Sequence, residues 1–160
     1  MKIYSEAIHL FTQRCEAYLK EIIVKETDLK LNRSRFEINK YTYPIHIVAF
    51  TQSDKLGYFD PHTYQIGLHQ NLMHQATIPI LKDIIRHELA HYLTYISHPN
   101  ATKPHGSEFK DTCLKYNWNQ SIAKAQININ QANSEVEGDF KTQKIITKIK
   151  ALLKLADSDN

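Results

Sequence analysis

Residues 79 to 96 read PILKDIIRHELAHYLTYI, a run whose apolar residues recur at three- and four-residue steps. That period predicts one long helix, and a domain of this size has to be arranged around it. Pro79 suits a first helical turn. His98-Pro99-Asn100 ends the helix, because the residue before a proline is pushed out of helical geometry. At about 100° per residue the faces separate. Leu81, Ile85, Leu89, Tyr92 and Ile96 share the arc expected to meet a core. Ile84, His87, Glu88, His91 and Tyr95 share the neighbouring arc, while Lys82, Asp83, Arg86 and Thr94 are expected to face solvent. Two histidines and a glutamate thus lie on the border between core and surface, where a cleft would run.

The spacing has a chemical meaning. Histidines at i and i+4 stand one turn apart and can offer imidazole nitrogens to one Zn²⁺ at roughly 2.1 Å. Glu88, directly after the first histidine, can reach a metal-bound water without ligating the metal, take its proton and hand it to a leaving amine. A structural zinc site has no use for such a carboxylate. A catalytic site needs a third protein ligand and one open position. His98 lies about 10 Å beyond His91 if the helix continues, and YLTYIS has no glycine to turn the chain back. It reads instead as a helix-terminal residue favoured by the dipole. Glu108 and Asp111 would sit inside the following helix. His105 is the best-placed third ligand, because it precedes Gly106 and follows a 13-residue excursion that lets the chain return. Glu108, Asp111 and His98 stay open as alternatives.

The rest of the chain is less explicit. Residues 4 to 24 carry Ile8, Phe11, Cys15, Tyr18, Leu19 and Ile22 at helical steps, an amphipathic helix. The stretch KETDLKLNRSRFEINKYTYP is polar and irregular, with one short strand at most. IHIVAF, residues 45 to 50, reads as a buried strand. LGYF and YQIGL around Asp60-Pro61 read as a β-hairpin. A shorter helix is expected from Ser107 as N-cap, carrying Phe109, Cys113 and Leu114. Residues 124–139 look like a linker, and 140–155 like an amphipathic helix with Ile145, Ile146, Ile149, Leu152 and Leu153 on one face.

Composition narrows the class. Charged residues make up 23% of the 160 residues and the net charge is +3, which permits nucleic-acid contact without demanding it. The two cysteines, Cys15 and Cys113, form neither a disulfide framework nor a CxxC pair. Glu6, His9 and Arg14 interrupt the apolar run that a signal peptide requires, and no run is long enough for a membrane span. The expectation is a protein of the cytoplasm.

HELAHYL followed by HGSEFK resembles the SprT-like family, zinc metallopeptidases related to Spartan, whose pattern is HExxH and then HGxxF/W. KLGYFDPHTYQIGLHQNLM is similar to that family's hairpin before the active-site helix, and the likeness spans roughly residues 5 to 118. The resemblance implies an α+β fold: a small zincin-like domain over residues 1–123, with an antiparallel sheet packed against the HExxH helix. The linker at 124–139 and a C-terminal amphipathic helix at 140–160 would follow. It implies one Zn²⁺ held by His87, His91 and His105, with Glu88 as catalytic base and protein substrates, DNA-associated proteins among them, as in the repair of DNA–protein crosslinks. Many relatives add a cysteine zinc ribbon, which this sequence cannot build. In its place KIITKIKALLKLADSDN resembles the opening of a small uncharacterised bacterial and phage domain. The lysines from Lys141 to Lys154 are most simply a solvated helix face; DNA association through them, in a metal-bound module without hydrolysis, is the alternative. His46 is expected to be structural or superficial. His62, His69 and His74 lack paired ligand spacing, and Arg86, Tyr92 and Tyr95 are candidate stabilisers of an oxyanion.

Overall fold

The computed structural model describes residues 2–51 and 54–121, so the expected linker and C-terminal helix lie outside the described residues. Helix α1 (Lys2–Glu26) is longer than its apolar stripe requires and ends with Lys25 in its last turn, where a cation complements the helix dipole. Its stripe buries Phe11, Cys15, Leu19, Ile22 and Ile23 against the later helix α3 and strand β4.

Three short strands follow, β1 (Lys30–Asn32), β2 (Arg35–Ile38) and β3 (Tyr41–Pro44), in an antiparallel meander. One strand was expected here at most. The reason is burial: among these residues only Phe36 is fully buried, so no alternation of apolar and polar residues marks the strands. The β2–β3 turn is Asn39-Lys40, both with positive φ (51° and 69°), the backbone of a tight hairpin turn achieved without glycine.

The second sheet has the order β4-β6-β5, from β4 (Ile47–Phe50), β5 (Gly57–Asp60) and β6 (Gln65–His69). The expected hairpin is present as β5–β6, and Asp60 closes its turn by accepting from the His62 backbone N–H and the Thr63 hydroxyl, both at 2.9 Å. β4, however, pairs parallel to β6, so this sheet is mixed and not wholly antiparallel. β6 is the central strand and is buried along nearly its whole length, as a strand covered on both faces must be. β5 is left at the edge, packed along α3.

After a single turn, α2 (Leu72–Gln75), comes α3 (Ile78–Ser97), with Thr77 as N-cap and Pro79 in the first turn. His98 is its C-cap, its backbone N–H donating to Thr94 O at 2.7 Å. Tyr92 is the hub between α3 and both sheets. Its ring meets Phe36 (5.1 Å), Phe59 (4.5 Å) and Tyr64 (5.9 Å), and its hydroxyl donates to Pro44 O at 2.9 Å. Helix α4 (Ser107–Lys115) packs beside α3. Its N-cap is Gly106, with extended backbone, and Ser107 instead donates its hydroxyl to Glu108 at 3.1 Å. Phe109 and Cys113 are buried on this helix, and Leu114 is 68% exposed.

The arc of α3 expected to face solvent is largely covered. α1 lays Glu21 against Lys82 (2.9 Å) and Glu26 against Arg86 (2.7 and 2.8 Å), while Thr94 is buried and shares a hydrogen bond with Thr112 of α4. Glu26 also accepts from the Trp118 indole at 2.8 Å, so one carboxylate ties α1, α3 and the chain after α4 together. The Arg86 hydrogen bonds, and behind them Trp118, hold the Glu26 carboxyl below its ordinary value against the opposing effect of burial. A carboxyl depressed in the folded state stabilises it above the unfolded value and loses that contribution as pH falls through the folded value. Glu26→Gln should therefore cost about 1–2 kcal/mol at pH 7. In thermal melts from pH 7 to 3 the gap to wild type should shrink toward zero, and a gap independent of pH would remove the ionic contribution.

Candidate metal centre

His87 and His91 stand one turn apart on α3, and His105 reaches them from the α3–α4 connection just before Gly106. The three Nε2 atoms form a near-equilateral triangle: 3.2 Å between His87 and His91, and 3.1 Å from each to His105. No other cluster of metal-ligating side chains occurs among the described residues. Burial, and after it the facing His87 and His105, lower the His91 imidazole to about 3, so at neutral pH its ring keeps a lone pair to offer.

Protons alone cannot satisfy this triangle. Each Nε2 is either an N–H donor or a lone-pair acceptor, and around an odd ring two neighbours must be alike. One edge then sets donor against donor or lone pair against lone pair at hydrogen-bond distance. A cation receiving all three lone pairs removes the conflict. Two nitrogens at about 2.0–2.1 Å from one tetrahedral Zn²⁺ stand roughly 3.3–3.4 Å apart, close to the observed edges. The donor set fits a metal ion.

The triangle rests on Phe109. Its buried ring stacks on His91 (4.4 Å, 28° between planes) and meets His87 and His105 edge-on, both at 5.0 Å. Phe109 follows His105 by four residues, so once α4 starts at Ser107 its ring comes back beneath the imidazole.

Glu88 shares a cleft of about 770 Å³ with the three histidines, walled by Gly57, Tyr58 and Phe59 of β5 and by the α3–α4 connection. It is almost fully buried, and burial raises its carboxyl to about 8 against the lowering effect of the Lys55 charge. Its neighbour is the backbone of β5. A Cβ at Gly57 would stand 3.0 Å from both Glu88 Cγ and Oε1 and 3.1 Å from Gly67 O. A side chain at this position would make the glutamate or the strand give way by a few tenths of an ångström. Gly57 and the Phe109 platform are site residues that the sequence reasoning did not assign. The signals were there, as the glycine opening the hairpin strand and the i+4 spacing from His105.

The other candidates go elsewhere. His98 lines the cleft without joining the triangle, and Glu108 and Asp111 stay outside it. Arg86 is held by Glu26 and Asp83 on the covered arc, Tyr92 is in the core, and His46 pairs with Glu16 at 3.2 Å. Tyr95 alone among the proposed helpers lines the cleft, leaning on Phe59 and Tyr64.

Phe109→Leu should fold, because it keeps an apolar side chain in the same core, but should let the imidazoles turn. Zinc affinity measured against a competing chelator should drop about 10- to 100-fold, the usual effect of losing a side chain that orients ligands; unchanged affinity would show that the platform is not needed.

Residues 19–137 match the SprT-like family. No curated protein matches the chain. Among solved structures it is similar to the metallopeptidase zymogen jannalysin of Methanocaldococcus jannaschii, with TM-score 0.41 and 19% identity over 84% of this chain and 96% of that one. With most of its length matched, the chain belongs to the SprT-like family and has that family's metallopeptidase motif, His87-Glu88-x-x-His91 with His105, in place.

Proposed function

We propose that the protein is a zinc-dependent endopeptidase in which His87, His91 and His105 hold one Zn²⁺ and Glu88 is the general base. The convergence of three Nε2 atoms beside a buried glutamate, in one open cleft, carries this reading. Bound zinc supplies a Lewis acid that polarises a carbonyl and lowers the pKa of water toward neutrality.

The chain's own residues do the rest. Glu88 takes a proton from the attacking water and returns it to the nitrogen of the leaving amine, so the same carboxyl serves as base and then as acid. Burial raises this carboxyl from the ordinary carboxylate range, and the charge of a bound cation would lower it again, so that it can take a proton and later return it. Gly57 sets the depth at which β5 covers Glu88 and so keeps bulk water from the carboxyl. β5 is the edge of its sheet and lines the cleft. An extended protein segment can add to that edge as a further strand, its backbone paired while its scissile carbonyl faces the triangle.

The deciding experiment is zinc content together with casein cleavage for wild type, Glu88→Ala and His105→Ala. Glu88→Ala should keep about one zinc and lose cleavage by several orders of magnitude, whereas His105→Ala should lose both. Equal behaviour of wild type and Glu88→Ala would favour a metal-bound module that binds a partner or DNA without hydrolysis. Tight zinc in His105→Ala would remove the third ligand. Gly57→Ala should retain zinc yet cut casein at least about tenfold more slowly, since the added methyl displaces Glu88 and a misplaced base is costly; full activity would mean that the approach of β5 is immaterial.

A further inference from the structure

Cationic side chains outnumber acidic ones along the cleft, and one of them, Lys55, already lowers the Glu88 carboxyl. Among the described residues Glu88 is its only carboxylate, whereas two lysines, Lys55 and Lys103, line it together with His98. The lysines come from separate segments, each rooted beside the machinery. Lys55 lies two residues before Gly57, whose backbone covers Glu88, so its backbone is within about 7 Å of that point. Lys103 lies two residues before His105, and its Cβ stands 3.2 Å from where a Cβ of Gly106 would be, as does Glu108 Oε2, which lies outside the cleft lining and feels the His98 ring. Gly106 N–H donates to Lys103 O at 3.1 Å, which fixes this tight turn next to the third histidine. A chain laid along β5 and past the triangle therefore passes one cation on the strand side and another on the loop side. The remaining wall is aromatic, from Tyr58, Phe59 and Tyr95.

We propose that Lys55 and Lys103 are specificity-determining residues that make this cleft select acidic polypeptide segments, with Asp or Glu flanking the scissile bond. The inference rests on the peptidase reading and names its substrate class. Pairing along β5 supplies affinity without regard to sequence, and the two ammonium groups add a preference by charge. Phosphates of a nucleic acid could also meet lysines, but they offer no amide row to pair with an edge strand. The strand edge of β5 along the same cleft favours a polypeptide.

The test uses the full chain carrying Glu88→Gln and loaded with zinc, so that binding is read without turnover. Two labelled octapeptides, identical except for Glu or Lys on both sides of the central bond, are titrated by fluorescence anisotropy at low salt. Each exposed lysine–carboxylate pair is worth a factor of about 1.5 to 5, and the Lys peptide meets repulsion instead. The Glu peptide should bind about tenfold more tightly, and the difference should shrink as salt is added. Lys55→Glu and Lys103→Glu should each reduce the preference, and together should reverse it, with zinc content unchanged.

Equal affinities, absence of binding, or a preference untouched by both reversals would overturn the proposal. It would also fall if single-stranded DNA displaced the peptide at lower concentration and lost its own affinity on the same reversals, because the lysines would then serve phosphates. Casein cleavage by wild type keeps the two readings apart. Charge-selective binding without cleavage sinks the peptidase assignment and, with it, the selection of a scissile bond, whereas cleavage without charge-selective binding sinks only this inference.

Discussion

Three imidazole nitrogens are held so close that no assignment of protons suits all of them, and the surrounding structure is organised to keep them there. α3 supplies two of the rings at a helical pitch. The third must come back across the gap left when the helix stops at Ser97. Phe109 meets all three from below, and it can do so only because α4 begins directly after Gly106. The long packing of α1 on α3, with Glu21 and Glu26 pairing Lys82 and Arg86, keeps the helix rigid behind the site. On the other side the Tyr92 cluster holds β5 and the meander against the same helix. The fold is, in effect, a set of braces on α3.

Glu88 is handled by the opposite means. The histidines are assembled by convergence, whereas the glutamate is set by enclosure, between α3 and the backbone of the edge strand. Its raised carboxyl is the electrostatic consequence of that enclosure, moderated by Lys55. One helical turn thus presents two neighbouring residues in different environments, and chemistry that needs both a lone-pair donor and a proton acceptor has them side by side.

What could be read from the sequence follows how far each signal reaches along the chain. α1, α3 and the β5–β6 hairpin carry strong local periodicity or turn chemistry, and they stand where that periodicity put them. The convergence of His105 with His87 and His91 was foreseeable from chain length and the position of Gly106. The meander was not legible, because strands with a single buried side chain have no alternation to display, and the Asn39-Lys40 turn lacks the usual glycine. The parallel pairing of β4 with β6 and the burial of Thr94 depend on partners remote in sequence. Gly57 was visible as a turn-region glycine, but its role depends on Glu88, 31 positions further along the chain.

The α3–α4 connection has a further consequence. His91 and His105 are 14 positions apart in sequence, and His105 itself is exposed on a stretch with little buried side chain to anchor it. An ion shared by the two ends closes that segment into a ring, as a chemical cross-link would, and removes conformational freedom from the unfolded chain as well as from the loop. The cofactor of such an enzyme is then also a staple. An ion bound there would add its own tie to a wall of the cleft already held by the Gly106–Lys103 hydrogen bond and by Phe109 against His105.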